Sequence, residues 1–193
     1  MSAIRSLAVF CGSRVGSNPQ YAEAGRALGL GLAKAGIRLV YGGGRIGIMG
    51  IVADAVLESG GEVLGVIPDF LKQWEVEHQG VQEMVITHSM HERKTRLYDE
   101  SDAFLTMPGG LGTFDETFEI VTWKQLRLHD KPILLCNIDG WADRMIAMIE
   151  HTVEDGFAAP SARHLIEVLD DVPAVLERLK WLPTGSGVPG ERL

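Results

Sequence analysis

The sequence predicts an α/β fold, a doubly wound and mostly parallel sheet with helices on both faces, and three features point there. Short apolar runs of strand length recur along most of the chain. Each is followed by a stretch whose apolar residues return at helical spacing, and glycine-rich loops sit where strand passes into helix.

Taken in order, Ser6 to Phe10 opens the series as a buried strand. Asn18-Pro19 is a helix-start signal; Tyr21, Ala24, Leu28, Leu32 and Ala35 recur on one face, and Gly36 stops the helix. Ile37 to Tyr41 is the second strand. Ile48, Ile51, Val52, Ala55 and Val56 mark a second helix, ended by Gly60-Gly61, and the strand Val63 to Ile67 follows, closed by Pro68. Asp69 to Gly80 is irregular and polar, the kind of long excursion that carries function in a compact domain. Next come a short strand at Glu83 to Ile86, a helix from about His88 to Glu100, and a strand at Ala103 to Met107. A helix from about Thr113 to Leu128 and a strand at Ile133 to Cys136 complete the alternation. Trp141 to Val153 and Val172 to Leu179 read as closing helices.

With 193 residues and 46% hydrophobic content, the chain is expected to fold as one domain over 1–182, with 183–193, rich in Gly and Pro, as a flexible tail. Its 18 Lys and Arg against 26 Asp and Glu leave a net charge of −8, a field that repels polyanions, so nucleic acid and anionic membrane are not expected partners. The longest apolar stretches fall far short of the roughly 20 residues that a spanning helix requires. Met1 to Phe10 shows no targeting pattern, and Cys11 and Cys136 each end an apolar run with no ligand-like spacing. Buried free thiols in the cytoplasm are the expectation; no metal and no cofactor is.

The sharpest motif is Pro108-Gly109-Gly110-Leu111-Gly112-Thr113-Phe114-Asp115-Glu116, set between a strand and a helix. Open α/β sheets bind ligands there, because glycines let the backbone approach a phosphate and the first helical N–H groups point outward with a partial positive charge. A second loop, Tyr41-Gly42-Gly43-Gly44-Arg45-Ile46-Gly47, formally matches the GxGxxG dinucleotide pattern, with Glu62 near the spacing of a ribose-binding acid. The preferred reading is that this loop, with Gly43 and Gly44, and Gly12-Ser13 after the first strand border the same crevice, since all lie at carboxyl ends of strands.

Two further groups carry charge. In His88-Ser89-Met90-His91-Glu92-Arg93-Lys94-Thr95-Arg96-Leu97, Met90 and Leu97 share a core face and Arg93 lies beside it, where a guanidinium can reach into a cleft and fork onto phosphate or sugar oxygens. Thr113-x-x-Glu116 is open to two readings. The spacing is that of a capping box, in which the glutamate folds back onto the helix start. Equally, Glu116 borders a phosphate loop beside Asp115 and Glu119, and a carboxylate next to a sugar stabilises an oxocarbenium-like state.

Through Met90 to Lys94 and Pro108 to Glu116, at their mutual spacing, the chain resembles the LONELY GUY (LOG) family of cytokinin riboside 5′-monophosphate phosphoribohydrolases, often described as lysine decarboxylases. The resemblance runs from the first strand to about Val153 and implies a single Rossmann-like nucleotide-binding domain, dimeric, that hydrolyses N6-modified adenosine 5′-monophosphate to free base and ribose 5-phosphate. It further implies catalytic roles for Arg93 and Glu116, phosphate and ribose contacts from Gly109, Gly110, Leu111, Gly112 and Thr113, and substrate contacts from Lys94 and Glu75. Asp115 stands where the family commonly has glutamate. Met90 and Trp123 are candidate lining for an apolar substituent, and Thr122 to Leu126 for a dimer interface. Pyridoxal phosphate chemistry is not expected. The alternative to the hydrolase is a non-catalytic nucleotide or molybdenum-cofactor carrier on the same fold.

Overall fold

The computed structural model describes residues 4–72 and 77–183. Seven strands form one sheet: β1 (Ser6–Phe10), β2 (Arg38–Tyr41), β3 (Val63–Pro68), β4 (Glu83–Thr87), β5 (Ala103–Thr106), β6 (Ile133–Cys136) and β7 (Glu167–Leu169). The order is β4-β3-β2-β1-β5-β6-β7, and every neighbouring pair is parallel. Six helices accompany it among the described residues: α1 (Pro19–Ala35), α2 (Gly47–Glu58), α3 (Met90–Asp99), α4 (Leu111–Gln125), α5 (Asp143–Glu154) and α6 (Val172–Leu179). The fold is the α/β Rossmann-like one expected.

Successive side chains of a strand point to opposite faces, and both faces here are covered. Leu7, Val9, Leu39, Tyr41 and Leu105 pack with Leu28 and Leu32 of α1, Val52 and Val56 of α2, and Val175 and Leu179 of α6. Their neighbours Ala8, Phe10, Val40 and Phe104 pack instead with Leu97 of α3 and Ile120 and Val121 of α4, while Leu135 meets Met145 of α5. Each fully buried leucine contributes roughly 1.5–3 kcal/mol, so the two layers hold the sheet against its own lack of a polar face. Helix ends obey local chemistry: the Asn18 side chain accepts from Gln20 N at 3.0 Å, and Gly36 closes α1 in the left-handed conformation at φ 67°.

Four local expectations shift. α4 starts two residues earlier than Thr113, with Gly110 as its N-cap, and stops before Leu128 because Arg127 turns to φ 61°. α3 starts at Met90 and not His88, because Ser89 accepts from Glu92 N (3.1 Å) while the Glu92 carboxylate accepts from His88 N (2.8 Å). A short 3₁₀ turn occupies Ile138–Gly140 ahead of α5. Strand β7 was not expected: three residues, only half-buried, at the sheet edge, it carries too little pattern to read. The expected tail lies, beyond Pro183, outside the described residues. Among those residues no helix is long and apolar enough to cross a membrane.

Candidate active site

Strand β1 sits mid-sheet between β2 and β5; the chain runs from β1 to β2 on one side, and from β5 to β6 on the other. The loops after β1 and β5 therefore diverge and leave a crevice at the carboxyl edge of the sheet. Backbone bonds make its rim one unit. Gly12 N donates to Pro108 O (3.0 Å), and Gly12 O accepts from Ile48 N (2.9 Å) and Met49 N (3.2 Å). The second of these facts decides against a dinucleotide reading of the loop at 41–47, because the amides that open α2 are already spent on Gly12.

The start of α4 differs. No side chain caps it, and its first i→i−4 bond is Phe114 N to Gly110 O at 3.1 Å, so the amides of Leu111, Gly112 and Thr113 precede the helical ladder. They face the crevice with about half a positive charge behind them. Gly109 makes the turn possible by close approach: a Cβ there would lie 2.0 Å from Thr113 Oγ1 and 2.9 Å from Gly12 N.

A cavity of about 300 Å³ opens at this point, lined by Gly110 to Thr113, Ser13, Met90, Arg93 and Glu116, and also by Cys11, Met49 and Leu71. Arg93 and Glu116 are 4% and 9% exposed, and Nη2 of the first lies 3.4 Å from Oε1 of the second. α3 returns from β4 and α4 from β5, both onto the same face of the sheet, which brings residues distant in sequence to one wall. The capping-box reading of Glu116 is thereby corrected. With Gly110 at the N-cap, Thr113 is a helical residue and not a cap, and the Glu116 carboxylate faces Arg93.

Lys94, expected on the substrate, is placed elsewhere. Its ammonium lies 2.8 Å from Asp115 and 3.3 Å from Glu119, and it is not among the residues lining the cavity. Burial pulls it down, but the bonds to Asp115 and Glu119 more than offset that, so it is held above the ordinary lysine value and charged. The three acids around the turn are thus matched: Lys94 takes two, Arg93 the third. Burial first and the Glu116 charge second push the Cys11 thiol up, which keeps it neutral.

Of the remaining expected residues, Ser13 borders both this cavity and an adjoining one of about 700 Å³ that Gly109, Tyr21 and Trp141 also line. Gly43 and Gly44 do not line either. Gly43 O accepts from His78 N (3.0 Å) and Gly44 bridges Glu77, so they anchor the returning segment. His78 is itself buried, with Nε2 2.9 Å from Asp54 Oδ1 and Nδ1 accepting from Gly80 N. Glu75 lies outside the described residues. Cys11, Met49 and Leu71 were missed, though Leu71 follows the closing Pro68 of a strand, where ligand-facing residues gather.

Fold and site together define an α/β protein with an uncapped helix start at the switch point of its sheet and a carboxylate–guanidinium pair in the adjoining cavity. A family model described as "Possible lysine decarboxylase" matches residues 49–179. A probable cytokinin riboside 5′-monophosphate phosphoribohydrolase of Oryza sativa subsp. japonica is 44% identical over 179 residues, 93% of this chain and 79% of that one. A protein of Arabidopsis thaliana named cytokinin riboside 5′-monophosphate phosphoribohydrolase is 40% identical over 192 residues, 99% of this chain and 90% of its own. The chain belongs to the LOG family of these proteins. Among solved structures, the molybdenum cofactor binding protein of Rippkaea orientalis superposes with a TM-score of 0.69 at 19% identity, over 91% of this chain and 94% of that one. At that identity the likeness is one of fold. The decarboxylase description does not fit the residues present: pyridoxal phosphate needs a free lysine amine, and among the described residues no lysine lines the cavity while Lys94 is held protonated by two carboxylates.

Proposed function

We propose that this chain hydrolyses the N-glycosidic bond of a cytokinin riboside 5′-monophosphate, releasing the free base and ribose 5-phosphate. The observation that carries the proposal is the meeting of Arg93, Glu116 and the start of α4 in one cavity. The phosphate binds the amides of Leu111, Gly112 and Thr113; the ribose then lies beside Glu116. As the bond from C1′ to the base nitrogen breaks, its electron pair leaves with the base and positive charge spreads over C1′ and the ring oxygen. The Glu116 carboxylate stabilises that charge. Arg93, buried beside it with Nη2 3.4 Å from Oε1, orients the Glu116 carboxylate. Water adds at C1′ and the base takes up a proton. Met49, Leu71 and Met90 offer an apolar wall for the base and its substituent.

The same reading includes a single domain over 1–182, a cytoplasmic setting, supported by two buried free thiols, and a homodimer through the end of α4, where Leu126 and Leu128 are 63% and 42% exposed. Sedimentation of wild type against a Leu126→Asp, Leu128→Asp variant tests the dimer. The carrier alternative rests on fold likeness and gives the buried carboxylate no part. The deciding experiment is chromatography of products from adenosine 5′-monophosphate, its N6-prenylated form and other purine monophosphates. Release of free base is expected, and its absence from all of them ends the proposal.

A further inference from the structure

We propose that Gly42 is a positioning residue: its missing side chain leaves the slot in which the Arg93 guanidinium lies, and so sets where that group meets Glu116. Gly42 is buried at the carboxyl end of β2. A Cβ there would lie 2.2 Å from Arg93 Nη2, and 3.3 Å from both Arg93 Cζ and Met49 Sδ. Nη2 is the same nitrogen that lies 3.4 Å from Glu116 Oε1. The guanidinium is therefore held between the end of β2 on one side and α4 on the other.

The backbone makes no such demand by itself. Gly43 and Gly47 sit at φ 79° and 66°, where glycine is required, whereas Gly42 is not among the left-handed glycines. What a side chain at 42 meets first is the guanidinium. Ordinary contact begins near 3.4 Å, so an alanine would drive Nη2 back by about 1 Å. With only 5% of its side chain exposed, Arg93 is hemmed in by its neighbours, and it moves along the cavity wall or toward Glu116. Met49 is a lesser obstacle, since a thioether end shifts easily. The effect on turnover rests on the functional reading above; the packing does not.

The experiment compares wild type, Gly42→Ala, Arg93→Ala and the double variant, by melting temperature and by kcat/KM on a prenylated adenosine monophosphate. In the wild-type background the alanine is expected to lower the melting temperature by roughly 2–10 °C, the range of an overpacked core. It should also lower kcat/KM on the order of 10²-fold, as about 1 Å of misplacement does. In the Arg93→Ala background the slot is empty, so the same alanine should move the melting temperature by no more than about 2 °C and leave residual activity where it was. If Gly42→Ala alone does not fold, a double variant that melts like Arg93→Ala supports the proposal equally. Equal losses in both backgrounds would mean that the glycine serves the turn and not the arginine, and full kcat/KM in Gly42→Ala would likewise overturn the idea. Melting is read without turnover: coupled melting in a chain that releases no base removes the functional reading alone, and additive melting in an active enzyme removes this one alone.

Discussion

Replacing Glu116 by glutamine tests the site most directly, because it keeps shape and removes charge. Glu116 is 9% exposed, and its carboxylate lies 3.4 Å from Arg93 Nη2. At an effective dielectric of about 20 two unit charges at that distance attract by about 5 kcal/mol, before desolvation is subtracted. Glutamine retains an acceptor oxygen for Nη2, so the net loss of stability should be about 1–3 kcal/mol, a fall in melting temperature of roughly 3–10 °C for a chain of this size. Catalysis should suffer more. A developing oxocarbenium charge at similar range loses about 4 kcal/mol of stabilisation, which lowers kcat on the order of 10³-fold. KM should stay within a few-fold, since the helix start proposed to hold the phosphate is untouched. Base release measured by chromatography, with a thermal melt on the same sample, supplies both numbers. A folded Glu116→Gln protein that keeps more than about a tenth of wild-type kcat would refute the assignment, because a loss that small is under about 1.4 kcal/mol.

Gly109→Ala would place a methyl 2.0 Å from Thr113 Oγ1 and open the turn; calorimetry should find nucleotide affinity lost, with about 1–3 kcal/mol of stability. Lys94→Met removes the ammonium that joins Asp115 and Glu119 across α3 and α4, at a cost of about 1 kcal/mol. Since Lys94 is raised in the folded protein, its contribution is fully present below the unfolded lysine value and is lost as pH rises through the higher folded one. The gap in melting temperature between wild type and Lys94→Met should therefore be constant through neutral pH and close above about pH 10.4. Burial pushes the Cys136 thiol up to about 12 and Cys11 higher still. Iodoacetamide at pH 8 should therefore leave the native chain unlabelled and modify both thiols in guanidinium, and labelling of the native protein would contradict their burial.

Local pattern made much of this protein legible. Strands β1, β2, β3, β5 and β6 announce themselves because parallel strands buried on both faces are largely apolar, and the helices because one face must return every turn. Gly109, Gly110 and Gly112 mark a close turn into a helix, because only glycine at 109 lets the chain pass so close to Thr113. What stayed hidden depends on neighbours distant along the chain. Strand order is one such matter, since nothing in Ser6 to Phe10 says that β2 and β5 flank it and open the crevice there. The partners of the acids are another: Glu116 is an acceptable cap by spacing, and only the return of α3 beside α4 turns it to Arg93 and turns Lys94 to Asp115 and Glu119. Periodicity records which face of an element is buried, whereas charge pairing and close packing are settled between elements, and so the partners of the charges around the cavity were decided by the tertiary structure.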